Sequence, residues 1–216
     1  MKPIVAVVDY GMGNLFSVTK ALEHCGARVT LSSDPKDFIG QERIVLPGVG
    51  AFSDGMKGLR ERGLVEILKQ FALSGGKFLG ICLGMQMLME TSEEFGAHEG
   101  LGLIPGSVTA IEGTGTNGKP HKIPHVGWTA IHAPAALGND PWRDSLLARV
   151  TPGESMYFVH SFTPSPVHEH HRLADSDYDG RRISAVIRNG NTYGCQFHPE
   201  KSGRAGLKII EQFLKI

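Results

Sequence analysis

The chain has 216 residues, 41% of them hydrophobic, and its 22 basic residues are matched by 22 acidic ones. A core of ordinary size can be buried without disulfides or structural metal, and no sequence-wide charge draws the chain toward nucleic acid or an anionic membrane. Three widely spaced cysteines make no disulfide framework. No apolar run approaches the roughly 18–20 residues of a spanning helix, and the first fourteen residues read as a buried strand and turn rather than a signal peptide. A cytoplasmic location and a single domain over residues 1–216 are the expectation.

Ile4–Val8 is a continuous β-branched run, the pattern of a strand covered on both faces. After a Gly-Met-Gly turn, Leu15, Val18, Leu22 and Cys25 recur at helical spacing until Gly26 ends the helix. Arg28–Leu31 and Arg43–Leu46 read as the second and third strands. Ser53–Leu73 reads as one long helix with Leu59, Leu64, Leu68 and Phe71 toward the core. Lys77–Ile81 is a fourth strand, and Leu83–Met89 opens another helix. Beyond it the chain changes character: Gly106–Ile111, Val126–Ile131 and Met156–Phe162 are strands without crossover helices. Ile183–Arg188 and Thr192–Phe197 flank Asn189-Gly190, a strong hairpin signal, and Ala205–Leu214 is a final helix. The pattern predicts an α/β fold with a mixed sheet, parallel in its first half and antiparallel in its second, with helices on both faces. The segments Gly113–His121 and Pro164–His171 are the expected mobile loops.

The 28 glycines, roughly twice the usual share, cluster at turns. The sharpest of these clusters is Gly80-Ile81-Cys82-Leu83-Gly84, where a strand ends, one residue intervenes and a helix begins. That is the pattern of a nucleophile elbow, in which small neighbours permit a strained turn that presents the side chain. A cysteine there sits at a helix N-terminus, where the dipole favours the reactive thiolate; the alternative is an inert buried thiol. Phe197-His198-Pro199-Glu200 follows another apolar strand. An imidazole suits both proton transfers of thiolate chemistry, and Glu200 could fix its orientation.

Gly80-Ile81-Cys82-Leu83-Gly84-Met85-Gln86 together with Gln196-Phe197-His198-Pro199-Glu200 resembles the class I (triad) glutamine amidotransferases. Within that class, four further segments are similar to the glutaminase subunits of imidazole glycerol phosphate synthase. These are Pro47-Gly48-Val49-Gly50, Asp9-Tyr10-Gly11-Met12-Gly13-Asn14, Pro124-His125-Val126-Gly127-Trp128 and Tyr157-Phe158-Val159-His160-Ser161. The resemblance implies the class I amidotransferase fold and hydrolysis of L-glutamine through a Cys82 thioester, with His198 as acid and base and Glu200 holding it. Oxyanion donors would be the N–H of Leu83 and one from Val49 or Gly50. Gly50, Gln86, Ser161 and Phe162 would bind substrate. The ammonia would pass to a (β/α)8-barrel cyclase subunit in a heterodimer serving histidine biosynthesis, with Trp128, Tyr157 and Lys201 at the docking face. No cofactor, metal, nucleic acid or membrane is implied. The chain departs from the subunit's usual pattern at Thr129, where asparagine is common, and at Phe162, where tyrosine is common, followed by Thr163-Pro164-Ser165-Pro166. Two alternatives remain at this stage: a paralogous subunit feeding a surface-sugar amidination synthase, and a stand-alone cysteine γ-glutamyl hydrolase.

Other motifs carry less. Gly11-Met12-Gly13 opens a helix as a dinucleotide fingerprint would, but Phe16 stands at the third glycine position. His168, His170 and His171 lie in a Pro-rich loop without a second ligand cluster, so a solvated loop is favoured over a metal site. Cys25 and Cys195 read as packing residues.

Overall fold

The computed structural model describes residues 2–138 and 140–216. In chain order the strands are β1 (Ile4–Val8), β2 (Arg28–Ser32), β3 (Arg43–Gly48), β4 (Lys77–Cys82), β5 (Met89–Ser92), β6 (His98–Glu99), β7 (Ile104–Ala110), β8 (His125–His132), β9 (Ser155–His160), β10 (Phe162–Pro166), β11 (Arg172–Tyr178), β12 (Arg181–Asn189) and β13 (Thr192–Cys195). The helices are α1 (Leu15–His24), α2 (Phe52–Glu61), α3 (Leu64–Leu73), α4 (Leu83–Met87) and α5 (Gly203–Phe213). Nine strands form one sheet in the order β2-β1-β3-β4-β13-β12-β11-β8-β9, and four form a second in the order β10-β7-β5-β6.

The large sheet is parallel from β2 to β13 and antiparallel from β13 to β9. Strand β13, last in sequence, is inserted parallel beside β4, with Cys195 paired to Ile81. The expected mixed sheet is therefore present. Side chains alternate across β1: Val5 and Val7 join a core with Val18 and Leu22 of α1 and Ile209 and Phe213 of α5. Ala6 and Val8 join the other, with Met56 and Leu59 of α2 and Leu64 and Leu68 of α3. Two buried faces explain why β1 is apolar throughout rather than alternating. Helix α5 buries Gly206, Ile209, Ile210 and Phe213, a stripe at helical spacing.

Several boundaries differ from the sequence reading. The single helix expected over Ser53–Leu73 is two, broken where Gly63 takes a left-handed conformation with φ of 66°. Leu59 and Leu64 are both buried, but five residues apart, a spacing one continuous helical face cannot hold. Helix α4 stops at Met87, and Met89 already belongs to β5. The strand expected over Met156–Phe162 divides at Ser161, where the chain leaves the large sheet at β9 and enters the small one at β10. Pro164 and Pro166 lie in β10, not in a loop; β10 is an edge strand, where a missing N–H is tolerated. The rest of that expected loop closes as a short 3-10 turn, Glu169–His171. Residues 113–121 form a hydrogen-bonded loop, with Thr116 N–H donating to Asp179 O at 3.0 Å and Arg181 Nε to Thr114 O at 2.9 Å.

Candidate active site

Three parallel strands end together. Gly48 of β3 pairs with Cys82 at the end of β4, and β13 runs alongside β4 up to Cys195. Val49-Gly50, Cys82 and Gln196-Phe197-His198 therefore meet at one carboxyl edge, the place where open α/β sheets bind ligands. Cys82 has φ 54° and ψ −110°, a conformation side chains rarely adopt, and it is the N-cap of α4. Its neighbours allow this. A Cβ on Gly80 would sit 2.6 Å from Gly84 O, and one on Gly84 would collide with Leu46 O, so only glycine lets α4 pack this tightly against β3 and β4.

His198 follows β13, and its Nδ1 lies 2.8 Å from Glu200 Oε1. Both side chains are almost wholly buried, at 3% and 1% exposure. Burial alone would lower the imidazole pKa; the nearby Cys82 sulfur first and Glu200 second outweigh it and push His198 up to about 9. His198 Nε2 and Glu200 Oε2 are buried without a hydrogen-bond partner. The backbone at His198 is clamped. Its N–H donates to Tyr157 O at 3.0 Å, its carbonyl accepts from Ser202 Oγ at 2.6 Å, and Ser202 Oγ accepts from Tyr157 N–H at 3.0 Å.

A cavity of about 350 Å³ opens beside this constellation. Cys82, His198 and the sequence-predicted Val49, Gly50, Leu83, Gln86, Ser161 and Phe162 all line it. Leu83 is the first residue of α4, so its N–H has no intrahelical partner. Gln86 spends both hydrogens of Nε2 within the protein, on Phe162 O at 3.0 Å and Gln196 Oε1 at 3.2 Å, which leaves Oε1 as its free acceptor. The carbonyls of Ser161 and Phe162 are likewise used, by Ile111 N–H and by Gln86 and His160.

Three residues of the site carried no prediction. Glu94 lines the cavity as its carboxylate, with Oε2 accepting from Phe52 N–H at 2.6 Å at the start of α2. Gln196 is fully buried with Nε2 3.8 Å from Cys82 Sγ. Ser202 is the clamp on His198. Gln196 belonged to the diagnostic motif and could have been found by extending the β13–β4 register one step; nothing local marks Glu94.

Of the three residues expected at a docking face, Trp128 and Tyr157 lie together on the outer strands β8 and β9. Trp128 pairs with Tyr157 across β8 and β9, their rings edge-on at 6.0 Å. Trp128 is 58% exposed and Val126 55%. Val126 pairs with Val159, which also lines the cavity. Lys201 is exposed in the turn that carries Glu200.

The remaining candidates fall elsewhere. Burial, then the charge of Glu200, pushes the Cys195 thiol up; burial, then Glu211, does the same to Cys25. His171 is buried with Nδ1 2.8 Å from Arg188 O, while His168 and His170 stack on each other. Among the described residues no group of three or more His, Cys, Asp or Glu side chains is arranged to hold a metal ion. Nor is any described helix long and apolar enough to cross a membrane.

Residues 6–216 match the family "Glutamine amidotransferase class-I". "Imidazole glycerol phosphate synthase subunit HisH 1" of Legionella pneumophila (strain Lens) is 53% identical over 98% of this chain and 99% of its own length. The HisH subunit of Geobacillus thermodenitrificans (strain NG80-2) is 42% identical over 99% of this chain and 96% of its own. Among solved structures, that of PurLQS from Thermotoga maritima superposes with a TM-score of 0.72 at 24% identity, covering 100% of this chain and 99% of that one, a likeness of fold. With a family match over nearly its whole length and relatives this similar, the chain belongs to the class I glutamine amidotransferases, and within them to the HisH subunits of imidazole glycerol phosphate synthase.

Proposed function

We infer that this protein hydrolyses L-glutamine at Cys82 and delivers the ammonia to a (β/α)8-barrel cyclase subunit, with which it forms a heterodimer. The observation that carries the reading is the meeting of a strained Cys82 elbow with a buried His198–Glu200 pair at the wall of one cavity.

The chemistry follows from the geometry. The Cys82 thiolate attacks the side-chain amide carbon of glutamine, forming a C–S bond, and the carbonyl oxygen becomes an oxyanion. Leu83 N–H is one donor for it, and a peptide N–H from Val49 or Gly50 is the second; Gly50, with φ of 103°, gives that segment the freedom to turn. His198, raised to about 9, is protonated at neutral pH and gives its Nε2 proton to the departing nitrogen as the C–N bond breaks. Ammonia leaves and a γ-glutamyl thioester remains. Water then attacks while His198 takes a proton, and the thiolate departs from glutamate. Glu200 holds Nδ1 throughout. Glu94 suits the substrate's α-ammonium, as does the free Oε1 of Gln86. The N–H groups of Ser161 and Phe162, or the Ser161 hydroxyl, suit its α-carboxylate.

Exposed Val126, Trp128 and Val159, with half-buried Tyr157, form a patch that reaches the cavity at Val159, so a partner seated on it would receive ammonia before water protonates it. Lys201 would carry the partner's influence to Glu200 beside it. Hydrolysis without an acceptor is wasteful, and a second oxyanion donor completed only in the liganded complex would prevent it. One such donor is worth about 10²–10³ in turnover. Glutaminase activity is therefore expected to be weak in the isolated chain and to rise by at least ~10² on adding the cyclase with a ligand in its acceptor site. Full activity of the isolated chain, indifferent to a barrel partner, would overturn the coupled reading in favour of a stand-alone hydrolase.

A further inference from the structure

A hydrogen-bonded chain runs along the cavity wall behind Gln86 and Phe162 and reaches the Cys82 sulfur through Gln196. The register that pairs Cys195 with Ile81 carries the fully buried Gln196 alongside Cys82. Gln196 Nε2 lies 3.8 Å from Cys82 Sγ, and its Oε1 accepts from Gln86 Nε2 at 3.2 Å. Gln86 Nε2 also donates to Phe162 O, which His160 Nδ1 meets at 2.9 Å. His160 Nε2 is 3.2 Å from His125 Nδ1, and His125 Nε2 is 2.8 Å from Thr129 Oγ1.

One fixed acceptor orients every proton in this chain. A backbone carbonyl only accepts, so Gln86 Nε2 and His160 Nδ1 both donate to Phe162 O. Both histidines are neutral near pH 7, because burial lowers His160 to about 3 and His125 to about 4. A neutral imidazole donates from one nitrogen. His160 Nε2 therefore accepts, His125 Nδ1 donates, and the Thr129 hydroxyl donates to His125 Nε2. At the other end, Gln86 presents nitrogen to Gln196, so Gln196 must present oxygen in return. That turns its own NH2 toward the Cys82 sulfur. Flipping the amide would set two nitrogens against each other and a carbonyl oxygen against the sulfur lone pairs.

We propose that Gln196 is a positioning residue that donates a hydrogen bond to Cys82 Sγ and favours the thiolate, its orientation locked by the chain that runs through Gln86, Phe162, His160 and His125 to Thr129. The proposal deepens the assignment of Cys82 as nucleophile and rests on it. The titratable groups around the sulfur are His198, backed by Glu200, then Tyr10, whose hydroxyl is raised by burial and next by Cys82, and Glu94 across the cavity. Gln196 differs from all of them in that its donor does not titrate.

Gln196→Met keeps the bulk and removes the donor; Gln196→Glu puts a carboxylate against the sulfur. The readout is the pH dependence of Cys82 alkylation by iodoacetamide, mapped by peptide mass without glutamine present. In Gln196→Met the midpoint should move up, with alkylation at pH 7 slowed by about tenfold, the scale of one hydrogen bond to a charged group. Gln196→Glu should move it further. Turnover should fall in kcat with KM for glutamine little changed. A profile superimposable on wild type overturns the proposal. If circular dichroism shows that Gln196→Met does not fold, the wild-type protein carries the test by NMR. Its Gln196 side-chain amide protons should shift as Cys82 titrates, and that shift should vanish in Cys82→Ala; an amide indifferent to Cys82 overturns the proposal. Failure of the nucleophile assignment is separately visible, as glutaminase turnover retained by Cys82→Ala.

Discussion

The carboxyl ends of β3, β4 and β13 and the outer strands β8 and β9 are built to opposite rules. At the ends of β4 and β13 the side chains are enclosed: Cys82 is 7% exposed, His198 2%, and glycines at 80 and 84 admit no side chain. At the outer strands, Val126 and Trp128 are more than half exposed and pair with Val159 and Tyr157 rather than with a covering helix. A soluble surface seldom leaves such groups together without a partner to cover them. The first region carries its geometry within the chain; the second is the face that, under the proposed function, a partner would cover. Ser202 joins them, since its hydroxyl holds both the His198 carbonyl and the Tyr157 N–H.

Changes at the strand ends should abolish chemistry and leave docking intact. Cys82→Ala should remove glutamine hydrolysis to background while cyclase binding, followed by calorimetry, is unchanged; Cys25→Ala should retain substantial turnover. His198→Asn should cost on the order of 10²–10⁴ in kcat, since both proton transfers pass through it. Glu200→Gln should cost less, because orientation is weakened and not lost.

Glu200→Gln also has a signature in pH. His198 is raised from its ordinary value to about 9, so its interactions stabilise the fold fully below about pH 6.5 and lose that contribution as pH rises through about 9. The Tm deficit of Glu200→Gln relative to wild type should thus be greatest near pH 6 and shrink toward pH 9. A deficit independent of pH would mean that Glu200 does not sustain the imidazolium.

Changes at the outer strands should do the reverse. Trp128→Ala should weaken cyclase binding, and Lys201→Ala should reduce the ligand-stimulated rate more than the basal one; equal loss of both rates would place these residues in the catalytic machinery instead. The smallest effect sharpens the contrast from the stability side. Cys82 holds a positive φ that glycine adopts freely, so Cys82→Gly should be more stable than Cys82→Ala by about 1 kcal/mol in denaturant unfolding.

The strand ends were legible in sequence because their chemistry needs special local residues. Gly80, Cys82 and Gly84 announce the elbow by type and spacing, and Asn189-Gly190 announces the hairpin that brings β13 back beside β4. The four-stranded sheet was hidden for the converse reason. Its edge strand β10 contains Pro164 and Pro166, which argue locally for a loop, and its pairing with β7 is a long-range contact with no local signal. Strand β11 carried no expectation either: its charged Arg172 and Asp175 interrupt any apolar pattern, and they are buried together as an ion pair, Arg172 Nη2 to Asp175 Oδ1 at 2.6 Å. Glu94 entered the site through the fold and not through any pattern of its own, whereas Gln196 stood in the diagnostic motif beside His198.

The most direct test of the central claim traps the intermediate. The complex with its cyclase and acceptor-site ligand is mixed with glutamine, quenched in acid within a turnover and digested for peptide mass. A γ-glutamyl adduct on the peptide carrying Cys82, lost in Cys82→Ser, is the predicted result; an adduct on Cys25 or Cys195, or turnover with no thioester in the Cys82 peptide, would contradict it.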